Sequence, residues 1–419
     1  DPTYRTTGAL VLGTNLRVDR FLPASLGIAV PFSVSHAFTS ADPILIGGTD
    51  ILAADIDNLR QPSSNLTQYN FAVRRTVRGT SALQRGLLDP MAFSGSITNG
   101  ESQTELSSGT TSATLLTLSY NLVLPRMGPS VSLGGVVDQL PPWVARSEGF
   151  AGVRTTQFGV VPGNIRFGSQ LTRAESDFTG YLVPVTRPGD AALKPAVSLT
   201  HLWRNNAGLT WQPIGLLTFS TDLSSTRDLR DYEDTTSIGR LTDASRKEFL
   251  GMDVGVERDR NLATAINITP RLTSWLRGRF NTTSSFVLSR SLTSRAPIQE
   301  FGDSGAYILP QTLNNLRSRE IGITLDPSRG FRQLVKDSGA AGKALRGLRV
   351  VDFVYRTTRL STYDLATFDP DLGYMLARGS ISDFLTQEGD SALSAAETST
   401  ITVGGGADLP FGITASLQY

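Results

Sequence analysis

Residues 15–38 read NLRVDRFLPASLGIAVPFSVSHAF, two alternating segments that meet at a short corner. Apolar residues share one face of each segment: Leu10, Leu12, Leu16 and Val18 in the first, and Ile28, Val30, Phe32 and Val34 in the second. Side chains of a strand point alternately to opposite faces, so this period of two predicts a sheet with one apolar and one polar face. Pro23 and Gly27 mark the corner, and Pro31, which has no backbone N–H, predicts a bulge or a local break in pairing.

The clearest alternating segment is Thr114 to Leu124, long enough for a tilted strand to cross a bilayer. We expect five of its side chains to face lipid: Leu116, Leu118, Tyr120, Leu122 and Leu124. The side chains between them, Thr117, Ser119 and Asn121, are expected to face water. This arrangement is typical of the strands of outer-membrane barrels.

Further alternating segments follow along the chain and predict hairpins. The first rises from Val197 to a tight turn at 205–208, because Asn and Gly favour such turns. A second turns at Pro270, and a third turns at 407–410 before a last strand that ends at Tyr419. Polar stretches, among them 98–112 and 366–398, are expected to connect strands. A short amphipathic helix is expected near Phe331 to Val335.

Taken together, the alternation predicts an all-β fold: a transmembrane antiparallel β-barrel, or part of a very large one, with long polar loops. Residues 1–419 would form one such unit with roughly 14 to 18 strands and no separate soluble domain. The chain begins at Asp1 without a Met, so we expect a mature protein or a fragment.

Composition excludes several classes of function. The formal net charge is +1, which gives no bulk reason to expect nucleic-acid binding. The chain has no cysteine, so disulfides, thiolate catalysis and Cys-ligated metals are excluded. No run of about 18 apolar residues occurs, so no transmembrane helix is expected.

The corner also carries a resemblance. Asp19, Arg20, Phe21, Leu22, Pro23, Gly27, Ile28 and Pro31 match a phrase of the SprA/Sov family, the large outer-membrane translocon of the type 9 secretion system. Later phrases follow in the family's order; they include Trp211, Pro213, Leu217 and Thr218, then Thr226 to Leu229, then Gly239, Arg240, Thr242 and Asp243, and finally Pro270 and Trp275. The resemblance covers most of residues 1–300.

The resemblance implies a location in the bacterial outer membrane and a role as the wall of a channel that exports folded protein cargo. The implied partners are secreted cargo, plug and lid proteins of the translocon, and the lipid bilayer. Family members are far longer, so this chain resembles a C-terminal portion. A mixed-charge cluster with Arg227, Asp228 and Arg230 is interpreted either as a lumen or plug contact or as a solvent-facing loop of self-paired charges.

No motif predicts catalysis or a cofactor. The two histidines, His36 and His201, both fall in strand patterns and are interpreted as strand residues rather than a metal site. Asp369 and Asp371 begin a faint calcium-loop pattern that lacks the Glu at its twelfth position. We therefore predict a protein that is not an enzyme and binds no metal or cofactor. A passive porin-like channel and a surface β-protein used for adhesion remain as alternative functions, and a soluble β-rich enzyme is the least supported, since the sequence does not select a carboxylate pair.

Overall fold

The computed structural model describes residues 5–46, 50–125, 130–132, 138–139, 141–142, 155–190, 193–232, 238–239, 242, 246, 248–249, 251–270, 273, 275–292, 298–299, 307–334, 348–409 and 413–418. Some expectations lie outside these residues. They include the family matches Arg240 and Asp243, the turn residue Pro410 and the terminal Tyr419.

Among the described residues the main sheet has fifteen strands: fourteen form a continuous path, and the short strand Ile28–Ala29 pairs beside it. The fourteen strands of the path are β1 (Arg5–Arg17), β2 (Pro31–Pro43), β3 (Ser63–Arg75), β4 (Met91–Gln103), β5 (Ser107–Val123), β6 (Asn164–Gly180), β7 (Ala196–Ile214), β8 (Leu217–Asp228), β9 (Val256–Ile268), β10 (Leu276–Arg290), β11 (Gln311–Leu325), β12 (Val351–Ala366), β13 (Ser394–Leu409) and β14 (Ile413–Gln418).

Each strand of this path pairs with the next one in the chain, and every pair is antiparallel. The prediction of an all-β antiparallel fold is therefore confirmed. Strands β1 and β14 are the two ends of the path, and no pairing between them is found among the described residues. We use "lower end" for the end where β1 finishes at Arg17, and "upper end" for the end where it begins at Arg5.

The α-helices of the described residues are short: α1 (Pro327–Leu334), α2 (Leu372–Met375) and α3 (Ile381–Leu385). Helix α1 coincides in part with the helix expected near Phe331. In the described part of the chain, none of the helices has the length and apolar character needed to span a membrane.

One expected turn and one expected connection are not where the sequence placed them. The segment 205–208 is not a turn, because β7 runs without a break from Ala196 to Ile214. Both of its edges are paired there: Asn206 lies between Gly168 of β6 and Ser224 of β8. Pairing on two sides outweighs the local preference of Asn and Gly for a turn.

The polar stretch 98–112 is likewise mostly strand rather than a connection. Strand β4 continues to Gln103 and β5 begins at Ser107, so only three residues join them. Thr104 and Ser107 close this turn, since the backbone N–H of Thr104 donates to the carbonyl of Ser107 at 2.7 Å. The strands here are polar on both faces, and the apolar alternation that identifies a strand in sequence is absent.

The break predicted at Pro31 is present. The corner pairs Ile28–Ala29 with β3, and a new strand, β2, starts at Pro31 itself. Pro31 is thus the first residue of a strand, a place where the missing N–H is tolerated. The hairpin expected at Pro270 is also present, between β9 and β10.

The buried core lies at the upper end of β9 to β12, beneath the connection between β12 and β13. We call this connection (residues 367–393) the cap. Phe368, Tyr374 and Phe384 of the cap are buried against the sheet. The strand side chains beneath the cap are Leu262, Phe286, Leu288, Leu313 and Tyr363.

Candidate functional site: the two faces of the sheet

The strand register assigns every strand side chain to one of two faces, because directly opposed residues of an antiparallel pair point to the same side. We call the side with Leu116, Leu118 and Tyr120 the leucine face, and the opposite side the polar face. Leu116 is opposed by Leu171, and Tyr120 by Phe167. The same assignment extends from pair to pair across the sheet.

Near the lower end, the leucine face carries a continuous row of apolar side chains, which we call the belt. Its exposed members run from β1 to β13: Leu10, Leu12, Leu16, Ile97, Phe167, Ile321, Ile323, Phe353, Tyr355, Ile401 and Val403. Partly exposed members include Phe32, Phe71, Phe93, Leu118, Trp211, Phe219 and Phe280. A row of exposed apolar side chains that crosses many strands marks a surface that contacts a membrane or another protein.

Four of the five side chains expected to face lipid lie in this belt. Leu116, Leu118, Tyr120 and Leu122 belong to β5 and share the leucine face, while Leu124 lies one residue beyond the end of that strand. Thr117, Ser119 and Asn121 are on the polar face. The alternation read from the sequence is present; contact of these side chains with lipid remains a prediction.

Hydrogen-bonded rows of the sheet do not run level with its ends. The row that contains Leu16 lies next to the lower end of β1 and passes through Phe32 and Phe71. It then reaches Trp203, in the upper half of β7. The strands are therefore staggered in one direction, as strands must be when a sheet closes into a barrel.

Ser, Thr, Asn and paired charges predominate on the polar face, which also exposes a few apolar side chains, among them Val11, Val123 and Phe178. Arg166 of β6 reaches across β7 to Asp222 of β8, with 2.7 Å between its guanidinium and the carboxylate. Gly208 lies between them, and a Cβ at that position would be 2.5 Å from the Asp222 carboxylate oxygen. The middle strand needs a glycine because the arginine passes directly over it.

The same arrangement recurs lower on the polar face, across β10, β11 and β12. Arg279 pairs with Glu320 at 3.0 Å and with Asp352 at 3.0 Å. It passes over Gly322, whose Cβ would be 2.4 Å from the arginine Nε. Arg356 binds the second oxygen of Glu320 at 2.5 Å. The two arginines and the two carboxylates therefore neutralise one another on the polar face.

The mixed-charge cluster at the end of β8 is compact and lies at the upper end of the sheet. Asp228 is 1% exposed and accepts hydrogen bonds from the backbone and guanidinium of Arg230 and from the Tyr232 hydroxyl. Arg227 donates to the carbonyls of Val254 and Gly255, which precede β9. Asp228 is thus paired with Arg230 of its own chain and buried rather than solvent-facing. Contact of Arg230 with a lumen or plug stays a prediction.

The mixed-charge cluster raises the pKa of a loop tyrosine. Burial and the adjacent Asp228 carboxylate raise the pKa of Tyr232 to about 12, since both disfavour a phenolate. The Asp228 carboxylate in turn raises the pKa of the Arg230 guanidinium. Tyr232 therefore stays neutral over the whole physiological pH range, and its hydroxyl donates a hydrogen bond to the Asp228 carboxylate.

The residues of the family-like phrase build the corner. Asp19 accepts from the Val30 N–H at 3.2 Å and pairs with Arg17 at 2.9 Å; the Arg17 guanidinium lowers the pKa of that carboxylate. Gly27 has a positive φ of 58°, and its carbonyl accepts from the N–H groups of Thr76 and Val77. Its Cβ would be 2.7 Å from the Val77 Cβ, so only glycine fits.

The other members of the phrase have different surroundings. Leu22 and Pro23 join two short 3₁₀ turns, and Ile28 pairs with Arg75. Phe21 is 86% exposed at the tip of the corner. The phrase is thus explained by backbone geometry at most positions, and by exposure at Phe21.

Sequence reasoning missed Arg60, which ties three upper connections together. Its side chain is 4% exposed, donates to the Val183 carbonyl at 2.6 Å, pairs with Asp190 and lies over the Tyr181 ring at 3.5 Å. A single arginine in a loop gives no pattern that would identify it. Leu59 and Val185 form a β-bridge beside it.

The histidines are far apart in the strand order: His36 lies on β2 and bonds to Thr67, and His201 lies on β7. Within the described ranges, no group of three or more His, Asp or Glu side chains is placed to hold a metal ion. Asp371, considered for calcium, instead caps α2 by accepting from the Tyr374 N–H at 2.7 Å.

Comparison with known proteins finds no matching family model and no matching curated protein. Among solved structures, the chain is similar to a double mutant of the Serratia marcescens hemophore receptor HasR in complex with its hemophore HasA and heme (13% identity, TM-score 0.29, 100% of this chain and 54% of that one). It is also similar to BamA from Haemophilus ducreyi lacking POTRA domains 1–3 (6%, 0.26, 100% and 66%) and to the copper transporter OprC (8%, 0.26, 99% and 57%).

All three of these proteins are outer-membrane β-barrels. The chain spans between 54% and 66% of their lengths. TM-scores below 0.3 do not establish a shared architecture, so the fold stated above rests on the strand pairing itself.

Proposed function

We propose that the chain forms part of the wall of an outer-membrane β-barrel channel. One observation carries the proposal: successive strands place exposed apolar side chains in a belt on one face and polar side chains on the other. Lipid is the environment that suits a continuous exposed belt, and an aqueous lumen suits the opposite face. Trp203 and Trp211 donate their indole N–H groups to Ser169 and Gly159, which satisfies both polar atoms beside the belt.

We further propose that the channel conducts folded protein cargo, as the resemblance to the SprA/Sov family implies. Support comes from the corner, where Asp19 and Gly27 of the family phrase have specific geometric roles. It also comes from the polar face, where charges paired in the plane offer cargo a hydrated surface without strong binding sites. A channel wide enough for folded cargo would need plug and lid partners, as the resemblance implies, and its export energy would come from outside the chain.

A passive porin-like channel is the alternative. The described residues give a path of fourteen strands, an even number within the range of single-chain outer-membrane barrels. A porin would close by pairing β1 with β14, whereas a translocon wall would continue into further strands. Deletion of the gene distinguishes the two, because only loss of the translocon abolishes export of folded cargo.

Site-directed cysteines test the membrane assignment, and the absence of native cysteine makes the background low. Cysteines at Leu116, Leu118 and Leu122 should react with a membrane-confined thiol reagent. Cysteines at Thr117, Ser119 and Asn121 should react with a water-soluble one. The reverse pattern, or a full chain that needs no detergent and shows no mobility shift on boiling, would overturn the proposal.

A further inference from the structure

An apolar groove opens at the lower end of the leucine face. Its volume is about 390 Å³, within the range of small-ligand sites. The corner supplies Leu26 and Ile28 on one side, and the connection between β3 and β4 supplies Leu88 on the other. Val73, Phe93 and Leu118 form the floor, so the groove is continuous with the belt.

A polar pocket of about 270 Å³ adjoins this groove and shares Arg75 with it. Arg75 is already paired with Asp89 at 3.2 Å. Arg78 and Arg85 also line the pocket, and neither has an ion pair in the part of the chain that the structure describes. Arg85 donates only to the carbonyls of Thr80 and Ser81, both at 3.4 Å. Arg78 and Arg85 therefore lie next to the apolar groove without ion pairs among the described residues.

The surrounding rim has the composition of a membrane interface. The segments 17–30 and 74–90 contain six arginines and two aspartates. Their tips expose apolar side chains: Phe21 is 86% exposed and Leu83 is 68% exposed. Apolar tips beside excess arginine suit the boundary between acyl chains and anionic headgroups.

We propose that the groove binds one acyl chain of an anionic phospholipid, whose phosphate is held by Arg78 and Arg85. The inference rests on the proposed function, since it requires the belt to lie in a bilayer. Guanidinium groups form charge-assisted hydrogen bonds with phosphate oxygens, and the groove removes part of the chain from water. The bound lipid would hold the corner against the connection between β3 and β4.

The test is native mass spectrometry of the full chain in dodecyl maltoside, titrated with dioleoyl phosphatidylglycerol or dioleoyl phosphatidylcholine. We expect one phosphatidylglycerol to be retained in preference to phosphatidylcholine. The double variant Arg78→Gln/Arg85→Gln should weaken that binding by about tenfold or more, because it removes both charged donors. The matched control, Arg187→Gln/Arg204→Gln, changes two exposed arginines elsewhere and should bind as the native chain does.

Two further arms identify the source of the phosphate. Ser25→Trp fills the groove and should also weaken phosphatidylglycerol binding, and glycerol phosphate should not displace the lipid. Equal binding of the two lipids, unchanged binding by the double variant, or displacement by glycerol phosphate would overturn the inference. A chain that never enters the membrane fraction would instead refute the proposed function, so the two failures are distinguishable.

Discussion

Gly322 and Gly208 are the residues on which the polar face depends. Each leaves room for an arginine to cross the middle strand of three, so that Arg279 meets Asp352 and Arg166 meets Asp222. Exposed ion pairs of this kind contribute only about 0–1 kcal/mol each. Their effect is on the surface: paired charges leave the polar face with less free charge than separate ones would.

Replacing Gly322 with Val should separate Arg279 from Asp352, while Arg279 keeps its ion pair with Glu320, so the Asp352 carboxylate is left without a cation on the polar face. If that face lines a channel, the variant should become more cation-selective in planar-bilayer recordings. Gly215→Ala is the control, since a Cβ there meets nothing within 4 Å. Unchanged selectivity in a folded Gly322→Val variant would mean that this face does not line the conducting path.

Tyr232 should titrate with a pKa of about 12 rather than its ordinary 10.0. Because the folded-state pKa is raised, the neutral phenol stabilises the fold fully below pH 10, and that contribution is lost as pH rises towards 12. Absorbance at 295 nm during an alkaline titration should lose one late-titrating tyrosine in Tyr232→Phe. Its loss from the normal group near pH 10 instead would contradict the proposed contact with Asp228.

The cap is held by side chains of two neighbouring strands, β11 and β12. On β11, Gln311 donates to the Phe368 carbonyl, Asn315 to the Tyr374 carbonyl and Arg317 to the Ala377 carbonyl. Tyr363 of β12 donates to the Phe384 carbonyl at 3.1 Å. Each donor satisfies a carbonyl that burial would otherwise leave without a partner.

Phe384→Ala should destabilise the cap by about 3–5 kcal/mol, because the ring is 0% exposed and its loss leaves a cavity. Hydrogen exchange of residues 367–393 should accelerate, while exchange in β4 and β5 should not change. Leu385→Ala is the matched control, since the neighbouring Leu385 is 44% exposed. Equal acceleration by both variants would show that the cap is not a packed unit.

The strands with clear alternation, β1, β5 and β10 among them, could be predicted from the sequence because a period of two is a local property. The cap could not be, since Phe368, Tyr374 and Phe384 follow no period and meet the sheet only through long-range packing. The run through Asn205 to Gly208 was misassigned for a related reason: local turn preference says nothing of the neighbours on both sides. The ion pairs in which an arginine crosses a glycine of the middle strand could not be predicted either. They depend on the register between strands, which the sequence of a single strand does not reveal.

For the molecule as a whole, the edge of β1 that faces away from β2, its outer edge, decides whether the sheet can lie in a bilayer. One edge pairs with β2, and the other has no partner strand among the described residues. An unpaired backbone group costs several kcal/mol in hydrocarbon, so a sheet in a bilayer cannot leave this edge open. We therefore expect the edge to pair, with β14 in a porin-like barrel or with further strands in a wider one.

Amide exchange in the full-length protein in detergent should show this pairing. Both sets of amides in Arg5–Arg17 should be protected, those that face β2 and those on the outer edge. Rapid exchange confined to the outer-edge set would mean that the edge is solvated and that the sheet does not lie in a membrane. The amides of β4, paired on both sides, serve as the internal standard.

The height of the belt is uneven around the sheet. On β5 it extends from Leu116 to Leu122, roughly 20 Å along the strand, but on β11 it extends only from Ile321 to Leu325, roughly 13 Å. The proposed bilayer would be compressed beside β10 to β12, a hydrophobic mismatch that loosens acyl-chain order on one flank.

Arg319→Leu would lengthen the short side of the belt, and reconstitution efficiency should then peak in longer-chain lipids. Arg204→Leu, on the polar face, is the control and should leave the preferred chain length unchanged. Local thinning of the bilayer beside β10 to β12 would let neighbouring lipids and proteins exchange more readily there than elsewhere on the perimeter of the barrel.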